Sequence, residues 1–221
     1  KMQKSYKKNT QIITNQMLRK GVFIFLFILS NLVLNAQKVK KIEIVNSNTL
    51  SVTELMGPDV QILEGNVILK HDSALMYCDS AYYDSKQNNF TAFGKIHVIS
   101  PTENMTDTVH MWGESLNYIG KEKLAVVRKN VVLKKDSMML YTDDMDYDIE
   151  KDIGKYVNGG RTLNGEDTLI SKRGYYYANE DEIFFKEKVI VYNPKYTIYS
   201  DTLKHQTKKK ISTILGPTNI I

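Results

Sequence analysis

The residues that could do chemistry are few, and their spacing argues against most of it. Four acids recur at matching places, Asp79, Glu114, Asp143 and Asp201. Carboxylates that hydrolyse glycosides must face each other across a cleft at a fixed separation, whereas repeated acids lie in file along one face, so these read as turn and surface groups. His71, His97, His110 and His205 show neither an H-x-x-x-H nor an H-E-x-x-H spacing, and no metal site is expected. Cys78 is the single cysteine and has no motif of a nucleophile around it; a small, half-buried residue is the expectation, and no intramolecular disulfide can form. A G-x-S-x-G elbow, a phosphate-binding loop and a dinucleotide fingerprint are all missing. The expectation is a protein without catalytic residues, metal or cofactor.

The formal charge of +5 over 221 residues would fit a nucleic-acid binder if it were spread along the chain. It is not. Residues 1 to 36 hold Lys1, Lys4, Lys7, Lys8, Arg19 and Lys20 and no acid, which leaves 24 bases against 25 acids in the remainder. Nucleic acid is therefore not an expected partner. The apolar run from Gly21 to Leu34 is shorter than the roughly 20 residues that span a bilayer and has the length of a signal-peptide core, with Ala36-Gln37 as the cleavage point. Residues 1–16 read as an upstream extension or mis-assigned start, 17–36 as a signal peptide, and 37–221 as the folded domain. A chain that opens on Lys1 and breaks off after the strand-like text at Gly216 suggests a fragment of a longer reading frame.

The folded part is written as a repeat. Asp72-Ser73, Asp107-Thr108, Asp136-Ser137 and Asp167-Thr168 recur at intervals of 35, 29 and 31 residues. A second landmark precedes each of them, and also a fifth copy that opens at Tyr199: GNVIL at Gly65, GKIHV at Gly94, KNVVL at Lys129, GGRTL at Gly159 and EKVIV at Glu187. Within a unit the apolar period is two, as in Phe90, Ala92, Ile96 and Val98, and fourteen tyrosines favour strands. No sustained helical stripe interrupts the pattern. A unit of this size cannot bury its apolar face alone, so successive units must stack, as a β-sandwich, a jelly roll or a solenoid.

Residues 63 to 98, LEGNVILKHDSALMYCDSAYYDSKQNNFTAFGKIHV, resemble the OstA-like domain of the lipopolysaccharide-transport A family, in the form found in Bacteroidetes-type envelopes, and the resemblance extends over about residues 41 to 220. It implies an all-β fold, a repetitive antiparallel open jelly roll shaped like a V-shaped β-sandwich or solenoid. It further implies a periplasmic carrier of lipopolysaccharide, holding the acyl chains of lipid A in a greasy seam. The implied partners are like-folded proteins of an envelope bridge, itself included, joined head to tail.

In register, the landmarks place one inward face on Val67, Leu69, Ile96, Val98, Val131, Leu133, Val189 and Val191 of first strands. Second strands add Leu75, Tyr77, Trp112, Leu116, Tyr141 and Met145, and segments near the turns add Phe90, Ala92, Ile183 and Phe185. These are the expected lipid contacts. For Trp112, a ladder of stacked aromatics with its neighbours is the other reading. The competing function is a closed-core β-repeat scaffold that binds protein or polysaccharide, for a trough and a dry core use the same residues and differ only in whether the walls meet. Basic residues such as Lys70, Lys134 and Arg161 could meet lipid phosphates, but spacing alone assigns none of them.

Overall fold

A computed structural model describes residues 41–53, 55–102 and 107–221, all of them within the unit Lys40–Ile221. The leader expected at 1–36 lies outside the described residues. Sixteen antiparallel strands form one continuous sheet, and the described residues contain no helix. Eight strands are long: β3 (Val60–His71), β4 (Ala74–Asp84), β5 (Asn89–Pro101), β6 (Thr108–Ile119), β7 (Leu124–Lys135), β8 (Met138–Asp148), β13 (Glu182–Asn193) and β14 (Tyr196–Gln206). The rest are short: β1 (Glu43–Asn46) and β2 (Thr49–Val52) before them, β9 (Ile153–Tyr156), β10 (Gly160–Asn164), β11 (Asp167–Ser171) and β12 (Arg173–Tyr177) between, and β15 (Ile211–Ile214) and β16 (Thr218–Ile220) after.

The repeat landmark is a bend. Gly65-Asn66, Gly94-Lys95, Lys129-Asn130 and Glu187-Lys188 each place two consecutive residues at positive φ, between 49° and 74°. At each pair the ladder slips by one residue. A bulge of this kind leaves one residue unpaired and bends its strand, so every long strand is divided into two arms. The arms ending at the turns near 84–89, 119–124, 148–153, 177–182 and 206–211 form a first wall. Those ending near 71–74, 101–108, 135–138, 164–167 and 193–196 form a second. In the fourth repeat the bend becomes a break: β9 and β12 belong to the first wall, β10 and β11 to the second. That is where GGRTL departs from the repeat, with Thr162 buried in place of an apolar residue.

The repeated acids stand opposite the bulges. Asp79 faces Gly94 so closely that a Cβ there would strike its carboxylate, which accounts for that glycine. Lys95 pairs with Asp79 at 3.4 Å, and Asn130 donates to Glu114 at 2.6 Å. The acids therefore run in file along the outside of the bend.

The bulge also sets which side chains face inward. Through the bend β5 advances four residues, Phe93 to His97, while β4 advances three, Tyr77 to Ser80. An even count preserves the alternation and an odd count reverses it. The bulged strands accordingly keep one phase throughout, with Phe90, Ala92 and Ile96 all buried on β5. Their partners switch phase at two adjacent polar residues, Asp79-Ser80, Glu114-Ser115, Asp143-Asp144 and Asp201-Thr202. On β4 the buried residues are Met76 and Cys78 before the switch and Ala81 and Tyr83 after it.

Candidate lipid cavity

The walls face each other and close unevenly. At the N-terminal end the backbone N–H of Ile42 donates to Asn88 at 2.9 Å, joining β1 to the opposite rim. In the C-terminal half the interior is shut. Leu169, Ile183, Phe185, Val191 and Leu203 have no exposed surface, and Tyr156 and Tyr176 are 1% exposed. The rim there is tied by polar groups. Lys135, buried at the end of β7, donates to the carbonyl of Ala178 at 2.9 Å and to Asp181 at 2.5 Å. Lys208 joins Asp181 to Asp107 at 3.3 and 2.8 Å. Asn164 donates across the gap to the Thr207 carbonyl and to Nε2 of His205, both at 2.8 Å. Because Nε2 accepts, Nδ1 carries the proton and donates to Ser212 at 2.9 Å; burial holds this histidine below the usual imidazole range, against the opposing pull of Asp167.

Between these two closures the walls stand apart. A cavity of about 720 Å³ opens there, with Leu69, Met76, Val98 and Met111 from the second wall facing Phe90, Leu116, Tyr118, Ala125 and Tyr147 from the first. Polar and charged groups ring its mouth, Lys70, His71, Asp72, Glu150, Asp152 and Asn179. Its volume falls in the range of ligand pockets, and its lining is of the apolar kind that excludes water.

The residues expected to touch lipid divide three ways. Leu69, Phe90, Val98 and Leu116 line the cavity, as does Leu75 at its rim. Val67, Ala92, Ile96, Val131, Leu133, Met145, Ile183, Phe185, Val189 and Val191 are buried in the packed interior on the expected face. Tyr77, Trp112 and Tyr141 are a correction: they point to the outer face of the second wall, and their neighbours Met76, Met111 and Leu140 are the buried ones. Alternation read without the phase switch put residues from before and after the acids on one face. Leu75 has the same outward phase and reaches the cavity only because it sits beside the turn. Met76 and Met111 lie before the switch and are missed for that reason, with the polar pairs Asp79-Ser80 and Glu114-Ser115 as the available signal; Tyr118, Ala125 and Tyr147 have the phase of the inward residues on their own strands and lie nearer the turns than the positions read as inward.

Trp112 belongs to the aromatic ladder. Its ring stacks on His97 at 4.7 Å and on His110 at 5.6 Å, and Tyr77 adjoins His97 at 5.9 Å. The histidines are distant in sequence yet meet across strands, His97 Nε2 lying 3.1 Å from His110 Nδ1. The described residues hold no group of three side chains placed to bind a metal. Cys78 is buried, and burial, with Asp79 beside it, pushes its thiol up to about 11, which keeps it protonated and unreactive.

The OstA-like protein family model matches residues 39–201. The chain belongs to the OstA-like family. No curated protein matches it in sequence. Among solved structures it is similar to LptH of Pseudomonas aeruginosa, described as the LptA-homologous periplasmic component of the conserved lipopolysaccharide transport device. The match has 13% identity and a TM-score of 0.46, and covers 52% of this chain and 80% of that one.

Proposed function

We propose that this OstA-like chain is a non-enzymatic lipid carrier, exported to the periplasm by its leader, that receives the acyl chains of lipopolysaccharide between its walls and passes them toward the outer membrane. The observation that carries this reading is the apolar cavity where the walls part, in a fold whose other interior is packed. Burial of each methylene is worth about 0.8 kcal/mol, so a few acyl segments can be held without any reactive group. Family membership supports the same reading. The sheet ends support the head-to-tail joining: β1 and β2 pair only with β3, and β15 and β16 only with β14, so among the described residues each end keeps a free backbone edge of the kind that accepts another strand. A join of that type is heterologous and grows a filament with like-folded partners.

The shut C-terminal half favours the second reading, a closed-core scaffold for protein or polysaccharide. Ala125→Phe separates them, since the added ring projects into the empty space between the walls. Titration of the full chain with lipid A is expected to show saturable binding that Ala125→Phe weakens at least tenfold while Asn117→Phe, on the outer face, leaves it unchanged. Absence of saturable binding, or equal binding by both variants, rejects the carrier.

A further inference from the structure

We propose that the outer face of the second wall, over β4 to β8 and β10, docks on the surface of an anionic lipid bilayer. An antiparallel sheet with one face on a core normally turns polar side chains to water on the other. Over the same strands the first wall is the more polar: its central outer row reads Tyr82, Thr91, Asn117, Val126, Asp146 and Lys155 in direct register, with Tyr82 its one ring. The matching row of the second wall reads Tyr77, His97, Trp112, Val132, Tyr141 and Arg161. The row beside it holds Leu75, Ile99, His110, Lys134 and Met139. Apart from Leu75, which reaches the cavity rim beside its turn, none of these is needed by the interior, which lies on the other side of the sheet.

The charges on this face have one sign. Arg161, over the Tyr141 ring at 5.0 Å, and Lys134 are its fixed ions, and no carboxylate shares either row. Of the acids at its border, Asp79 and Glu114 are paired with Lys95 and Lys129 at 3.4 and 4.0 Å and Asp107 with Lys208 at 2.8 Å, while Asp143 stands at the bend and Asp72 and Asp136 in the turns beyond the strand ends. Such a face suits an anionic partner.

The rings say which kind. The rings of His97, His110 and Trp112 lie against one another with their planes 10° to 20° apart, His97 Nε2 being 3.1 Å from His110 Nδ1. Amphipathic rings with polar tips, flanked by cations, match the headgroup level of a membrane, where tryptophan and tyrosine concentrate. Six strands about 4.8 Å apart give a strip roughly 24 Å wide.

Trp112 is the sole tryptophan, so its emission reports on this face alone. The full chain, mixed with phosphatidylcholine vesicles with and without an equal share of phosphatidylglycerol, is expected to show a blue shift of Trp112 with the anionic vesicles only. Near the surface each cation contributes about 1 kcal/mol, so Lys134→Ala with Arg161→Ala should weaken the half-saturating lipid concentration roughly 30-fold. Sedimentation through the apolar leader would leave both the emission and the variant's affinity unchanged. That outcome overturns the proposal, as does a shift that depends on protein concentration without lipid, which would mark the face as a contact between copies. Loss of lipid A binding by Ala125→Phe does not bear on this surface, so the two readings fail independently.

Discussion

Asp181→Ala is expected to destabilise the fold by about 3 to 5 kcal/mol, read as the shift of the urea midpoint at constant slope. The side chain of its partner Lys135 is 5% exposed, and removal of the carboxylate leaves that ammonium buried with one neutral carbonyl, from Ala178. An uncompensated buried charge loses its hydration without recovering an ionic partner, and this asymmetry makes the loss large. Lys135→Met should cost no more than about 1 kcal/mol, because its stem is already packed and Asp181 keeps Lys208 at 3.3 Å. The double variant Asp181→Ala, Lys135→Met is then expected to regain most of the loss. If both single variants cost the same and their effects add, the charge is not what makes the tie sensitive.

The same rim shows what the sequence could and could not reveal. The strand-rich repeat, the position of the bend landmarks and the inward phase of the bulged strands were legible, because Val67, Leu69, Ile96, Val98, Val131 and Val189 alternate without interruption. The partner strands were not, since the odd count through the bend reverses their phase, and Tyr77, Trp112 and Tyr141 were placed on the wrong face. The Asp-Ser anchor mixed two situations: Asp72-Ser73 and Asp136-Ser137 are the turns themselves, whereas Asp167-Thr168 opens β11 after a turn at Gly165-Glu166. The closures were beyond reach. Lys135 joins Asp181 and Asn164 joins His205 across 46 and 41 residues, and only the arrangement of the two walls brings them together. Where the walls part could not be read either, as Leu69 in the cavity and Leu133 in the packed interior close the equivalent texts GNVIL and KNVVL.

The second large effect belongs to the glycines around Tyr156. This ring lies in the shut half of the interior, against Gly160 and Gly174, with its hydroxyl 2.7 Å from Ser171 Oγ. A Cβ on Gly174 would occupy the space of the ring, and the neighbouring side chains leave a residue 1% exposed nowhere to go. Overpacking of this kind costs about 3 kcal/mol or more, so Gly174→Ala should unfold the chain at markedly lower urea. In a Tyr156→Ala background, itself weakened by the cavity it leaves, the same substitution is expected to cost under about 1 kcal/mol. Additive losses in that double-variant cycle would show that Tyr156 does not fill the place assigned to it.

Both predictions concern how the interior is closed; the functional claim concerns where it is open. The most direct measurement is a map of lipid contact from a photoreactive side chain placed in the full chain at Leu116 in the cavity, at Leu133 in the packed interior, or at outward Asn117, each irradiated with lipid A. A carrier that holds acyl chains where the walls part labels strongly from Leu116 and weakly from the other two positions. Labelling that is uniform across the three, or absent at Leu116, contradicts it.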